Sequence, residues 1–138
     1  MISATATFRP RNTAGQFVQA RISPAVTASV QAACELIQGL TKEYCPVLTG
    51  ELRDSYVVSV KQTGSTVKGT MSTDKPYAPF VEFGTGRAGE SSPGAGEGPY
   101  DPNWAGMAAQ PHVRPAVDES RDAIKDLFHS NLSVAVEG

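Results

Sequence analysis

One stretch decides the fold of this chain: Tyr77-Ala78-Pro79-Phe80-Val81-Glu82-Phe83-Gly84-Thr85-Gly86. Apolar side chains fill most of it, and a single carboxylate, Glu82, stands among them. A carboxylate with apolar neighbours is costly to bury, so Glu82 is predicted to have a partner or water. The Gly-Thr-Gly end lets the backbone turn where side chains would clash. The stretch is thus predicted to bury its apolar faces and to release the chain into a polar loop.

Three motifs, in this order, resemble a known family. They read Thr49-Gly50-Glu51-Leu52-Arg53-Asp54-Ser55, then Tyr77-Ala78 with Val81-Glu82-Phe83-Gly84-Thr85-Gly86, then Met107-Ala108-Ala109-Gln110-Pro111-His112-Val113-Arg114-Pro115-Ala116. Together they resemble the phage head–tail joining proteins of lambda-like siphophages known as the gene product ten family, from Ser23 to Leu132. Two features depart from the family: His112 replaces the usual aromatic residue, and the loop over residues 87–104 is longer.

The resemblance implies a structural protein without catalytic activity, metal or cofactor. Similar proteins form a ring in the neck of the virion, through which DNA passes without specific binding. The implied partners are further copies of the chain, with sixfold symmetry, a head-closure or adaptor protein, and a tail terminator or tail tube protein. A tail terminator and a small nucleic-acid-binding module are the alternatives. The positions carried over as structural are Thr49, Gly50, Leu52, Arg53, Ser55, Tyr77, Ala78, Val81, Glu82, Phe83, Gly84, Thr85, Gly86, Pro111, Arg114 and Pro115.

Composition limits the remaining classes of protein. The 138 residues suit one domain, and a net charge of −2 is not typical of a protein that coats nucleic acid. No apolar run approaches the ~20 residues of a membrane helix, and the first residues lack the pattern of a secretory signal. We therefore expect synthesis and assembly in the host cytoplasm. If one helix carries both Cys34 and Cys45, they lie ~16 Å apart, which excludes a disulfide between them.

The first 22 residues are predicted to form an N-terminal arm, whose partner the sequence leaves open. It carries three arginines and no acid. A short strand is expected over residues 5–8, a turn over 12–15 and a second strand over 16–20. The candidate interface residues in the arm are Arg9, Arg11 and Phe17.

Two helices are predicted in a single domain over residues 23–132. Ser23-Pro24 is typical of a helix start, and Pro46 ends this helix near Tyr44 or Cys45. Its apolar stripe is Val26, Val30, Ala33, Ile37, Leu40 and Tyr44, and its polar face is Thr27, Gln31, Gln38 and Lys42. That face either meets solvent or packs on another subunit. A second helix begins at Arg114-Pro115, and residues 133–138 form a tail without a strong signal.

The remaining elements predict an antiparallel sheet and hence an α+β fold. Thr49 can cap a helical turn over residues 50–54 that buries Leu52. Arg53 either pairs with Glu82 or lies at the surface. Strands over 56–61 and 66–72 form a hairpin, with Tyr56, Val58 and Val60 on one face. Residues 107–113 can add a strand at an edge or end of the sheet, because Pro111 lacks an N–H group.

The segment over residues 87–104 is predicted to be a flexible loop, rich in Gly, Pro and Ser. Structureless loops beyond ~12–15 residues are usually functional or disordered. Its aromatic residues either dock on a neighbouring subunit or, for Trp104, cover the core of their own domain. Arg87, Tyr100 and Trp104 are therefore candidate interface residues.

The sequence around the candidate motifs for catalysis and cofactor binding does not support either function. Gly84-Thr85-Gly86-Arg87-Ala88-Gly89 matches the dinucleotide fingerprint, but Glu90-Ser91-Ser92-Pro93-Gly94 is a poor start for the helix that must hold a pyrophosphate. The two cysteines and two histidines show none of the paired spacings of zinc sites. No nucleophile elbow marks a serine hydrolase.

Overall fold

The computed structural model describes residues 2–7, 13–93, 95 and 100–137 of the chain. Strands and helices form an α+β fold, as the sequence predicts. Two long helices lie on a small antiparallel sheet. The chain between the two helices forms the β-hairpin and three short helices. In chain order the elements are β1 (Ile2–Thr7), α1 (Thr13–Tyr44), α2 (Glu51–Ser55), β2 (Val57–Thr63), β3 (Thr66–Ser72), α3 (Ala78–Phe83), α4 (Gly86–Glu90) and α5 (Val113–Glu137).

The sheet has three antiparallel strands in the order β1-β3-β2. The predicted hairpin is confirmed, and β1 adds the third strand by pairing with β3 of the same chain. Val67 and Met71 on β3 are buried, with Gly69 between them on the same face. A Cβ at Gly69 would lie 2.4 Å from Cys34 Sγ and 2.6 Å from Val30 Cγ1. The glycine therefore allows α1 to pack directly against the middle of the sheet.

The start of α1 differs from the prediction. The helix begins at Thr13, ten residues before Ser23, and Pro24 lies inside it. The predicted strand over residues 16–20 is wrong, because those residues are helical. Proline at the first helical position and proline within a helix look alike locally, since either removes one N–H donor. The Thr27 hydroxyl donates to the Ser23 carbonyl at 3.0 Å, within the turn that contains Pro24.

The core lies between α1, α5 and the sheet. Val30, Ala33 and Ile37 from the predicted stripe are buried. The two long helices run antiparallel: Asn131 Nδ2 donates to Ser29 Oγ at 2.9 Å at one end, and the Tyr44 hydroxyl donates to Glu119 at the other. The polar face of α1 is not wholly free for another subunit, because Gln38 Nε2 donates to the Tyr56 carbonyl of its own chain at 2.7 Å.

The later part of the chain confirms one helix and corrects one strand. α5 begins one residue before the predicted Arg114 and continues through Glu137, so the predicted tail is helical up to that residue. The predicted strand over residues 107–113 is wrong, since this segment contributes only an isolated bridge between Met107 and Thr85. Pro111 has no N–H to donate to a ladder, which agrees with this.

Both cysteines are buried and free. Burial raises the pKa of the Cys34 and Cys45 thiols, which keeps them protonated and unreactive. They pack as small apolar residues, as the sequence predicts.

Candidate structural site at the start of the last helix

Glu82 connects the central stretch to the beginning of α5. It lies in the last turns of α3, and its side chain is 7% exposed. Its carboxylate accepts the backbone N–H of His112 at 2.8 Å, of Val113 at 3.0 Å and of Arg114 at 3.1 Å. One side chain from a distant part of the sequence thus binds three successive backbone donors.

These three donors are the groups that a helix leaves unsatisfied at its start. The first four N–H groups of an α-helix have no partner within the helix. For α5 these belong to His112, Val113, Arg114 and Pro115, and proline has no N–H. Glu82 therefore satisfies every donor that the first turn presents. Its negative charge also lies at the positive end of the helix dipole, which is favourable.

Arg114 adds a second set of contacts to Glu82. Its Nε donates to Glu82 Oε1 at 3.0 Å, and its Nη2 donates to the Glu82 backbone carbonyl at 3.3 Å. The guanidinium carbon lies 4.6 Å from the centre of the Phe83 ring, within the range of a cation–π interaction. Arg114 therefore holds both the side chain and the backbone of α3 against α5.

The charge of Glu82 is stabilised by these donors. Burial alone raises the pKa of the Glu82 carboxyl, because it disfavours the charged form. The backbone N–H groups of His112, Val113 and Arg114, together with the Arg114 guanidinium, outweigh burial and hold the pKa below its ordinary value. Glu82 is thus ionised at neutral pH.

His112 is fully buried next to Glu82. Its Nδ1 lies 2.9 Å from the Gln110 carbonyl, which can only accept, so Nδ1 carries the proton. Its Nε2 lies 2.8 Å from the Tyr56 hydroxyl, and in a neutral ring with the proton on Nδ1 it accepts a hydrogen bond from that hydroxyl. The two rings meet edge to face at 5.7 Å. We call Glu82, Arg114, His112 and Tyr56 the Glu82 cluster.

The Glu82 cluster contains residue types found in catalytic relays, but its geometry is that of a structural network. His112 is 0% exposed, and both of its ring nitrogens have partners inside the protein. Burial, with Cys45 and Glu82 nearby, raises the pKa of Tyr56 far above its usual range. A buried, fully hydrogen-bonded network of this kind fixes the packing of the elements that contribute to it.

Of the two alternatives for Arg53, the pairing with Glu82 is wrong and the surface position is confirmed. Arg53 Nε instead contacts Asp54 Oδ1 at 2.8 Å in an exposed pair at the surface of α2. The predicted burial of Leu52 is confirmed. The predicted cap is not: the N-cap residue is Gly50, which has no side chain to cap the helix, although the Thr49 hydroxyl accepts the Glu51 N–H at 3.3 Å.

The sequence analysis missed the link between Glu82 and the first turn of α5. Two signals could have revealed it. The residue before Val113 is His112, which is not among the side chains preferred as a helix N-cap, so this helix start lacks a local partner. At the same time Glu82 is a carboxylate without a local partner. The helix start has backbone N–H donors that need an acceptor, and the Glu82 carboxylate is an acceptor that needs donors.

The Gly-Thr-Gly segment turns sharply and is held by the chain beyond the loop. Gly84 has φ 75° and its Cβ would lie 2.6 Å from the backbone of both Ala109 and Met107, so a side chain cannot fit there. The Thr85 N–H donates to the Met107 carbonyl at 2.8 Å, and the Met107 N–H donates back at 3.0 Å. These contacts place the third sequence motif directly beside the second.

An apolar groove opens beside this junction. It is lined on one side by the segment between α1 and α2 and on the other by the start of α3 and Met107. Leu48 is 98% exposed, and Val47, Tyr77 and Met107 are also exposed. Phe80, one helical turn beyond Tyr77, is 57% exposed. We define the apolar groove by Val47, Leu48, Tyr77, Val81 and Met107.

The candidate interface residues of the sequence analysis have different outcomes. Arg9 and Arg11 lie outside the described residues, and Phe17 lies in α1, where its side chain is not described. The Tyr100 hydroxyl donates to the Phe83 carbonyl at 3.2 Å. Arg87 is exposed on α4, which occupies the first part of the predicted loop. Trp104 is 56% exposed, so it does not cover the core.

Among the described residues, no group of three or more His, Cys, Asp or Glu side chains could hold a metal ion. No helix in the described part of the chain is both long and apolar enough to cross a membrane.

Comparison with family models identifies the class of protein. Residues 12–84 match the family described as "Bacteriophage HK97-gp10, putative tail-component". The match covers just over half of the 138 residues and runs from α1 to the glycine that ends α3. The chain therefore belongs to this HK97-gp10-like family of bacteriophage tail components, and it is a structural component associated with the phage tail or neck.

No curated protein and no solved structure matches the chain. The matched region contains Glu82 but ends before His112 and Arg114. The Glu82 cluster therefore joins the matched part of the chain to the part that follows it.

Proposed function

We propose that this protein forms a ring in the neck of the phage and joins the DNA-filled head to the tail. A head-closure or adaptor protein lies on one side of the ring, and a tail terminator or tail tube protein on the other. DNA passes through the ring without specific binding. Membership of a tail-component family supports the virion location, and the ring and its position in the neck are the proposal.

The observation that carries the proposal is the apolar groove. Monomeric soluble proteins rarely expose large contiguous apolar patches, and those that do usually bind a partner there. A leucine that is 98% exposed within an apolar groove gains by being covered. The Glu82 cluster fixes α3 against α5, and the start of α3 lines one side of the groove. A rigid surface of this kind loses little entropy on binding.

Virion assembly tests this function. A phage lacking the gene is complemented with Val47→Asp/Leu48→Asp, which places two charges at the groove. We expect tails and filled heads to accumulate unjoined, because burying the added carboxylates against a partner is costly. The matched control is Val136→Asp, which charges an exposed valine near the far end of α5.

The outcome is read by electron microscopy and by the position of the protein on the particle. Location at the neck supports the proposal. If the protein instead lies at the end of isolated tails and stops the growth of the tail tube, it is a tail terminator. A protein absent from particles, with joining unaffected by the groove variant, would refute the proposed function.

A further inference from the structure

One face of the sheet is left uncovered by the helices. The register places Lys61 directly opposite Lys68, and Lys68 opposite Thr5 on the other side. Ser59 lies on the same face, because side chains alternate along a strand. These four residues are exposed, and Thr70, which lies opposite Ser59, is half-buried. Val67 and Met71 on the opposite face are buried against the helices. We call this surface, made of Thr5, Ser59, Lys61, Lys68 and Thr70, the outer sheet face.

The outer sheet face is basic, although the whole chain carries a net charge of −2. None of the three strands contains an acidic residue. Directly opposed residues have Cβ atoms about 4.5–5.5 Å apart, and like charges in such a pair are destabilising. Neither Lys61 nor Lys68 forms an ion pair with a described residue. An anionic partner would relieve this repulsion.

The exposed side of α5 has the opposite charge. Asp118, Asp122 and Asp126 follow one another at four-residue spacing, which places them along one stripe of the helix. The exposed residues of α5 include five carboxylates, against one arginine, one lysine and one histidine. Arg121 pairs with Asp118 at 3.0 Å and Lys125 with Asp122 at 3.7 Å, while Asp126 forms no ion pair with a described residue. We call this stripe of three aspartates the α5 acidic stripe.

The outer sheet face points away from the helices, and the α5 acidic stripe lies on the exposed side of a helix that packs on α1. No ion pair joins the two surfaces among the described residues of one chain. They can meet between two copies. Contacts of this head-to-tail kind close into a ring when the rotation between copies allows it.

We propose that the outer sheet face of one copy binds the α5 acidic stripe of the next. This inference rests on the ring of the proposed function and names the surfaces that form it. Complementary charges at an interface mainly set the rate of encounter, the register and the choice of partner. The apolar groove is then left free for a different virion protein.

Paired charge reversals test the contact. Lys61→Glu/Lys68→Glu makes both surfaces acidic, and Asp122→Lys/Asp126→Lys makes both basic. We expect each variant alone to associate at least tenfold more weakly than the wild type in sedimentation at low salt. A one-to-one mixture of the two variants should associate again, because each copy then meets a neighbour of opposite charge. The control Glu35→Lys/Glu90→Lys reverses two exposed carboxylates outside both surfaces and should associate like the wild type.

Other results would overturn the inference. Association that is unchanged by either reversal and by raising the salt would show that the ring uses other surfaces, while the proposed function would stand. Normal association of the lysine variant with loss of binding to a DNA duplex would make the outer sheet face a nucleic-acid surface instead. A wild-type protein that stays monomeric under every condition and is absent from particles would refute the proposed function and this contact with it.

Discussion

Two arginine–carboxylate pairs in this molecule have nearly the same length and very different surroundings. Arg114 and Glu82 approach to 3.0 Å with the carboxylate almost buried, while Arg53 and Asp54 approach to 2.8 Å with both side chains exposed. The exposed pair joins neighbours in sequence and is screened by water. The buried pair joins residues 32 apart in sequence and also satisfies the first turn of α5. Distance alone therefore does not show which pair the fold needs.

Truncation of the carboxylate in each pair should produce the largest difference in stability between them. Glu82→Ala leaves three backbone donors and a guanidinium without their acceptor, and we expect it to lower the free energy of unfolding by about 3–5 kcal/mol. The same truncation at the surface, Asp54→Ala, should leave the free energy of unfolding nearly unchanged, because water screens the exposed pair. Urea denaturation followed by circular dichroism measures both. Equal losses for the two variants would contradict the role assigned to Glu82.

The buried ring contact should come next in size. His112→Phe keeps an aromatic ring but leaves the Tyr56 hydroxyl buried without an acceptor, which costs about 1–3 kcal/mol. The double variant His112→Phe/Tyr56→Phe removes both polar groups and should recover most of that loss. The comparison is made as a double-mutant cycle in urea. Additive losses would show that the hydrogen bond between the rings is not the cause.

The shape of the arginine should matter less than the presence of the glutamate. Arg114→Lys keeps the charge but loses the forked contacts to the Glu82 side chain and carbonyl, and the stacking on Phe83. We expect a loss of about 1–2 kcal/mol, because the three backbone donors remain. Arg53→Lys at the exposed pair is the matched control and should be neutral within error. A neutral result for Arg114→Lys would reduce its role to that of a point charge.

Acid should weaken the buried pair by a smaller amount, since a protonated carboxyl still accepts hydrogen bonds on one oxygen. Glu82 has a folded-state pKa below the ordinary value of 4.5, so its contribution is complete above about that pH. The contribution is lost as the pH falls through the folded-state pKa. Thermal melts of the wild type between pH 6 and 3 should therefore decline more steeply than those of Glu82→Gln. Parallel curves would contradict this.

The sequence determined the parts whose signals are local. Alternating apolar and polar residues predicted the hairpin. Apolar residues at three- and four-residue spacing from Val26 to Tyr44 predicted the buried stripe of α1. The proline at residue 115 predicted the start of α5, and the three ordered motifs predicted the family. The strand at residues 16–20 and the helix start at Ser23 were wrong, because Pro24 has the same local signature at the start of a helix and inside one.

Only the tertiary structure decided which charges meet. Glu82 and the start of α5 are separated by 30 residues, and nothing in a local pattern says which of several arginines a carboxylate will find. Packing selected Arg114, because the same contact also satisfies the backbone N–H groups of the helix that carries it. The pairing of Lys61 with Lys68 likewise cannot be predicted until the strand register is known. Local sequence sets which elements form, and long-range contacts set which surfaces and pairs they present.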